Sequence, residues 1–205
     1  MLTAVPRAGT PGLRLARALR DVLLALACLL AVIGFALAAL TARVEGTSMT
    51  PTIRDGDLLL VNKFTAGQYP LRRGDIALLR LGGANAVKRV IGLPGDELEI
   101  DQGQVLVKPG GSGPWRRLRE PYVSSNAAIN SFCCDLTGRA TRTGLPGAVS
   151  IPPGRYFVLG DNRTDSYDSR VFGLVPKDWI AGRVLLRYWP LARFGPAVTR
   201  GPELG

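Results

Sequence analysis

The segment DELEIDQGQVLVK, residues 96–108, predicts an antiparallel β-hairpin. Apolar and polar residues alternate in DELEI and in QVLVK, and this period of two is typical of half-buried strands. The Asp-Gln-Gly between them supplies the glycine that a tight hairpin turn favours. The chain around this segment is therefore expected to be β-structured.

Similar short apolar runs lie on both sides of the hairpin, and Gly-Asp turn pairs precede several of them. The predicted strands are residues 57–63, 75–81, 86–94, 96–100, 104–108, 155–161 and 183–190. The turn spacing predicts a mainly β fold, a coiled antiparallel sheet or barrel-like domain over residues 43–195. Within it, residues 109–153 are rich in Gly, Pro, Ser and Thr and are predicted to be a loop-rich insertion. Residues 196–205 are predicted to be a C-terminal tail.

Residues 22–42 carry no charge, and their length suits a transmembrane helix. A cleaved signal peptide is the alternative, but its apolar region is usually shorter. Four arginines precede the span, in a basic tail over residues 1–21: Arg7, Arg14, Arg17 and Arg20. The positive-inside rule predicts a single-pass protein of the cell (inner) membrane, with its N-terminus in the cytoplasm and its β domain outside.

The sequence contains no histidine. This absence excludes a Ser-His-Asp site, a histidine base and an imidazole metal ligand. The cysteines show no metal-binding spacing, so we expect neither metal nor cofactor. Cys28 lies in the predicted span, and the adjacent Cys133 and Cys134 suit free thiols, other partners or a labile bridge equally well.

The net charge of +10 does not indicate nucleic-acid binding, because no dense basic run is interleaved with aromatic residues. Attraction to anionic membrane lipid is the better interpretation. The sequence predicts no oligomeric state.

Three polar motifs stand out: Gly46–Thr52, Asn85–Gly92 and Gly160–Gly173. Taken singly, each also suits an ordinary structure: a turn hydroxyl, a solvent-facing strand lysine and a solvated loop with weak surface ion pairs. The third motif is denser in hydrogen-bonding groups than a turn requires.

Together these motifs resemble the bacterial type I signal peptidases over about residues 22–185. Ser48–Thr52 matches the family's serine box, Lys88–Asp96 its lysine box, and Gly160–Arg170 its Gly-Asp-Asn-Arg box. The resemblance implies a membrane-anchored serine endopeptidase that cleaves signal peptides from exported preproteins after a small-x-small motif.

The resemblance also implies the roles of individual residues. Ser48 is the nucleophile, Lys88 the general base, and Ser166 the serine whose hydroxyl orients the lysine. The supporting ion pairs are expected from Arg89, Asp161, Arg163, Asp168 and Arg170. The backbone N–H of Ser48 is expected to bind the oxyanion, but Gly46 stands where some members carry a second hydroxyl donor.

A Ser/Lys dyad needs an uncharged lysine, because only a free amine removes a hydroxyl proton. Burial among apolar residues lowers a lysine pKa, and Val87, Val90 and Ile91 surround Lys88 in the sequence. The other lysines, Lys63, Lys108 and Lys177, lie in more polar contexts.

The substrate is expected to be an extended peptide that pairs with a strand edge. Met49, Pro51, Thr52 and the start of strand 57–63 are predicted walls of its site. Two alternatives stay open: a Ser/Lys peptidase dedicated to maturation of a conjugation pilin, and a non-catalytic anchored β domain that binds peptides.

Overall fold

The computed structural model describes residues 11–63, 70–101, 103–123, 148–197 and 201–205. The chain divides into two units, one ending at Leu40 and the other comprising Thr41–Gly205. The predicted insertion is described only at its two ends, and both Cys133 and Cys134 lie outside the described residues.

The first unit contains one helix, α1, Pro11–Leu40. It begins earlier than the predicted span, so the second half of the predicted tail is helical, and Thr41 and Ala42 belong instead to a strand. Many of its large apolar side chains are exposed, among them Leu23, Leu26 and Leu30. Among the described residues, no helix meets the combined length and hydropathy required of a membrane span.

The second unit is built from short strands and short helical turns. The strands are β1 Thr41–Arg43, β2 Leu58–Asn62, β3 Ile76–Leu81, β4 Ala84–Gly92, β5 Glu97–Asp101, β6 Gln104–Lys108, β7 Arg116–Arg119, β8 Val149–Ser150, β9 Arg155–Leu159, β10 Val175–Pro176, β11 Ile180–Trp189, β12 Gly195–Pro196 and β13 Glu203–Leu204. The helical turns are α2, Ser169–Phe172, and the 3₁₀ turns Pro109–Gly111, Lys177–Trp179 and Leu191–Arg193.

Within the described residues these strands form two antiparallel sheets. The larger has eight strands in the order β1-β2-β11-β3-β4-β9-β10, with β12 beside β11. The smaller has five, in the order β13-β7-β6-β5-β8. The prediction of a mainly β antiparallel fold is confirmed, and each of the seven predicted strands is present.

The hairpin of residues 96–108 is strands β5 and β6 of the smaller sheet. Leu98 pairs with Val107 and Ile100 with Val105, and all four side chains are buried together. The alternation in the sequence therefore places its apolar face on the core, as a period of two requires.

Strand β7 was missed because it lies in the predicted insertion. Its sequence, RRLR, has one apolar residue, Leu118, and that residue is the buried one. The predicted tail also contributes a strand, since β13 pairs with β7.

A buried cluster beside the larger sheet fixes the segment that follows β1. Met49 and Ile53 are almost fully buried in it, against Leu59 and Leu78. Burying such side chains is worth roughly 1.5–3 kcal/mol each, which anchors the segment that carries Ser48.

Candidate active site

Ser48 lies in the turn region that follows β1. Thr50 donates its backbone N–H to the Thr47 carbonyl at 3.0 Å, and Ile53 donates to the Met49 carbonyl at 2.9 Å. Gly46 has a φ of 98°, which favours glycine, and its N–H donates to Asp55 Oδ1 at 2.8 Å. With Met49 buried as the anchor, the neighbouring Ser48 hydroxyl faces a cleft.

Lys88 lies in the middle of β4, opposite Ala77 of β3, and is only 4% exposed. Its Nζ donates to Ser48 Oγ at 2.7 Å. Burial lowers the pKa of Lys88 below its ordinary value of 10.5, although the Asp168 carboxylate acts in the opposite direction. A buried amine with a lowered pKa, in contact with a serine hydroxyl, is the arrangement that proton abstraction requires.

Four of the predicted supporting residues form two buried ion pairs. Arg89 donates to Asp161 through Nε at 2.8 Å and through Nη2 at 2.6 Å. Arg170 makes the same bidentate pair with Asp168, donating through Nε and Nη2 at 2.8 Å each. Asp168 also accepts the backbone N–H of Gly160 at 3.0 Å, which ties this pair to the end of β9.

Arg163 is buried as well, but its partner is not one of the predicted acids. Its Nη2 donates to Glu120, and its Nε donates to the Gly160 carbonyl at 3.0 Å. Glu120 was missed because it follows β7 in the region predicted to be an insertion, and nothing in its local sequence distinguishes it.

The segment after β9 also holds the backbone of Ser48. Asn162 donates its N–H to the Ser48 carbonyl at 3.0 Å, and Thr47 Oγ1 donates to Asp165 Oδ2 at 2.6 Å. Asn162 and Asp165 belong to the third motif but were not assigned roles from the sequence. In the structure, their hydrogen bonds fix the turn that carries Ser48.

Ser166, expected to orient the lysine, lies beside this contact. Its Oγ is buried and has no hydrogen-bond partner among the described residues. A Cβ built on Gly160 would be 2.2 Å from Ser166 Oγ and 2.5 Å from the Ser48 carbonyl oxygen. Ser166 and Ser48 therefore approach the same small space, which only glycine at 160 leaves open.

The cleft at the dyad has a volume of about 570 Å³. Residues at and after β1 line one side and the first half of β4 lines the other. Met49 is a wall residue as predicted, but Pro51 and Thr52 line a separate pocket. Strand 57–63 contributes Lys63, at its end rather than its start.

Both strands that line the cleft lie, wholly or in part, at an edge of the larger sheet as the described residues form it. β1 is the last strand of its sheet. β4 pairs with β9 only from Arg89 onward, so residues 84–88 have β3 alone as a neighbour. Such edges bind an extended peptide by main-chain hydrogen bonds. No group of side chains suited to a metal ion occurs in the described part of the chain.

Comparison with known proteins gives consistent similarities. The family model described as "Signal peptidase, peptidase S26" matches residues 16–189, a range that contains all three motifs. The chain is 42% identical over 154 residues to a signal peptidase I of Bacillus caldolyticus, covering 74% of this chain and 80% of that protein. It is 36% identical over 156 residues to a signal peptidase IB of Staphylococcus aureus, with 74% and 78% covered. A crystal structure of a signal peptidase I from Enterococcus faecalis V583 shows 31% identity, covers 56% of this chain and 97% of that one, and gives a TM-score of 0.41.

Gly160→Ala tests how closely the third motif packs against the nucleophile. The added methyl group would meet a backbone oxygen, which cannot rotate away, so Ser48 must shift. We expect a loss of about 1–3 kcal/mol in stability and about 100-fold in peptidase activity. Gly92→Ala is the matched control, because its methyl group would meet Ile151 and Phe157 in the core instead. Thermal unfolding and activity of both variants give the comparison, and a fully active Gly160→Ala protein would contradict the packing described.

Proposed function

Since this chain belongs to the bacterial type I signal peptidases, the peptidase S26 family, we propose that Ser48 and Lys88 form the dyad with which it cleaves signal peptides from preproteins. The protein is a serine endopeptidase, and the observation that supports this dyad is the 2.7 Å contact between a buried lysine amine and the serine hydroxyl.

In the proposed reaction, the neutral Lys88 amine takes the Ser48 proton while Oγ attacks the carbonyl carbon of the scissile bond. The Lys88 ammonium then gives this proton to the leaving amine as the C–N bond breaks, which leaves an ester on Ser48. Lys88 next removes a proton from water, and the resulting hydroxide attacks the ester. The C–Oγ bond then breaks, which releases the signal peptide as a carboxylic acid, and the Lys88 ammonium returns its proton to Oγ, which restores the dyad.

The ion pairs support this reaction through the charge state of Lys88. Asp168 and Asp161 both raise the pKa of the lysine, whereas Arg170 lowers it. Because Arg170 pairs with Asp168 and Arg89 with Asp161, each carboxylate is offset by a guanidinium. We assign these four residues the role of limiting the negative potential that would otherwise keep Lys88 charged.

Ser166 is proposed to accept a hydrogen bond from Lys88 during the cycle. Its unpartnered, buried Oγ and its position beside Ser48 favour this role. The oxyanion is assigned to the Ser48 backbone N–H. The Gly46 N–H and the Thr47 hydroxyl already donate to Asp55 and Asp165, so neither is assigned as the second donor.

The signal peptide is proposed to bind in extended form between β1 and the first half of β4, which line the cleft. Alternate side chains of such a peptide point into the cleft, while the others face away. Ala86, Leu78 and Met49 are among the residues that line the cleft, and they give it an apolar surface. Small side chains at alternate positions suit such a surface, which agrees with a small-x-small cleavage motif.

Substitution of the dyad tests the chemistry directly. We expect Ser48→Ala and Lys88→Ala to lose at least about 1,000-fold in kcat/KM on a preprotein, since each removes a group that takes part in every turnover. Lys108→Ala is the matched control, because Lys108 pairs with Glu97 in the smaller sheet. Mass spectrometry of the products locates the cut, and a fully active Lys88→Ala enzyme would exclude the dyad.

The helical part of the predicted span, residues 22–40, is proposed to anchor the protein in the cell membrane with its N-terminus in the cytoplasm. The support is the uncharged sequence, the preceding arginines and the exposed apolar side chains along α1. Anchoring would hold the cleft near the membrane surface, where the cleavage region of a signal peptide emerges.

Membrane fractionation tests this topology. We expect the full-length protein to stay in carbonate-washed membranes and its β domain to be digested by protease added to spheroplasts. Replacing Leu26 and Leu30 with arginine costs roughly 2.5–3.5 kcal/mol per residue at the centre of a span and should release the protein. Wild-type protein found in the carbonate supernatant would contradict the anchor.

A further inference from the structure

Two residues outside the three motifs contact the ion pairs behind the dyad. Glu120 and Tyr122 follow β7 and flank Pro121, and we call these two residues the Glu120–Tyr122 clamp. Both side chains are buried: that of Glu120 is 8% exposed, and Tyr122 as a whole is also 8% exposed. The partners that the structure gives Glu120 and Tyr122 are Arg163, Arg89 and each other, so we argue their effect on the reaction through the arginines.

The first contact of the clamp is made with Arg163. The Glu120 carboxylate accepts from Arg163 Nη2, while the buried Arg163 Nη1 has no partner among the described residues. Burial alone would lower the pKa of Arg163, yet Glu120 raises it above its ordinary value. Glu120 is therefore the group that compensates this buried charge, and a buried ion left without its partner is strongly destabilising.

The second contact is made with Arg89. The Arg89 guanidinium carbon lies 3.8 Å from the centre of the Tyr122 ring, a cation–π arrangement. Burial raises the pKa of the Tyr122 phenol, so the hydroxyl stays protonated and donates to Glu120 Oε1 at 2.7 Å. The two halves of the clamp are thus joined to each other.

One arginine held by the clamp is adjacent in the chain to Lys88, and the other is adjacent to a residue that hydrogen-bonds to Ser48. Arg89 follows Lys88 on β4. Arg163 follows Asn162, whose N–H donates to the Ser48 carbonyl at 3.0 Å, and the Arg163 carbonyl accepts from Arg170 Nη1 at 2.7 Å. The clamp therefore connects the strand that carries the base to the segment that holds the nucleophile.

We propose that Glu120 and Tyr122 are positioning residues that keep Lys88 and Ser48 at the distance that proton transfer needs. This role rests on the proposed function of the dyad. Proton transfer and attack depend steeply on geometry, and a displacement of about 1 Å is enough to cost up to about 100-fold in rate. Since the clamp lies outside the residues that line the cleft, its loss lowers kcat and leaves KM unchanged.

The experiment compares four variants of the full-length, detergent-solubilised enzyme on a preprotein. Glu120→Gln removes the charge that faces Arg163, and Tyr122→Leu removes the ring over Arg89. Tyr122→Phe keeps that ring. Glu97→Gln breaks an ion pair with Lys108 in the smaller sheet and serves as the matched control. Wild type and Ser48→Ala are measured beside them.

We expect kcat to fall about tenfold or more in Glu120→Gln and Tyr122→Leu, at unchanged KM, after correction for the folded fraction seen by circular dichroism. Tyr122→Phe should keep most of its kcat, and Glu97→Gln all of it.

If wild type cleaves, the positioning role would be overturned by an unchanged kcat in Glu120→Gln and Tyr122→Leu. A loss of activity that only equals the loss of folded protein would overturn it as well. A wild type that does not cleave, or a Ser48→Ala protein that does, would instead overturn the proposed function, and the positioning role with it.

Discussion

The hydrogen bond between Lys88 Nζ and Ser48 Oγ is the contact on which the proposed site depends, and its use in proton transfer requires a lysine that is buried and uncharged. The two requirements are linked, because an amine removed from water holds its proton less tightly. Burying the lysine therefore lowers the stability of the folded state, by about 1.4 kcal/mol for each tenfold change in the ammonium–amine equilibrium. The antiparallel pairing of β4 and the buried clusters around Val87, Val90 and Ile91 supply this environment.

Burying the lysine requires that the surrounding charges be controlled as well. The third motif places three carboxylates close enough to raise the pKa of Lys88, and two of them, Asp161 and Asp168, are paired with arginines. Asp168 also has a structural role, because it accepts the Gly160 N–H and caps α2. The ion pairs thus hold the segment that contacts Ser48 and at the same time limit the rise that its carboxylates cause in the pKa of Lys88, the proposed base. A histidine base ordinarily titrates near neutral pH and would need less of this compensation.

Much of this arrangement is predictable from the sequence, because it is encoded in short periods and compact motifs. Alternation predicts the hairpin over 96–108, and the motifs predict Ser48 and Lys88. Contacts between distant segments are not predictable in this way. Glu120 meets Arg163 across 43 positions, and neither its neighbours nor its spacing marks it. Strand β7 cannot be predicted for a related reason. Its sequence has only one apolar residue, and its strand structure depends on pairing with β6 and β13. Pro51 and Thr52 follow Ser48 closely in the sequence, yet they line a separate pocket and not the cleft.

The most direct test of the central claim is a titration of Lys88 itself. Carbon-13 NMR of the lysine side chains, with Lys88→Arg used to assign the resonance, measures its pKa in the folded enzyme. A lowered pKa predicts that the Lys88 resonance titrates below 10.5, and that kcat/KM rises over the same pH range as the amine loses its proton. A Lys88 resonance that titrates with those of exposed lysines would contradict a neutral base, and the account of the dyad would then be wrong.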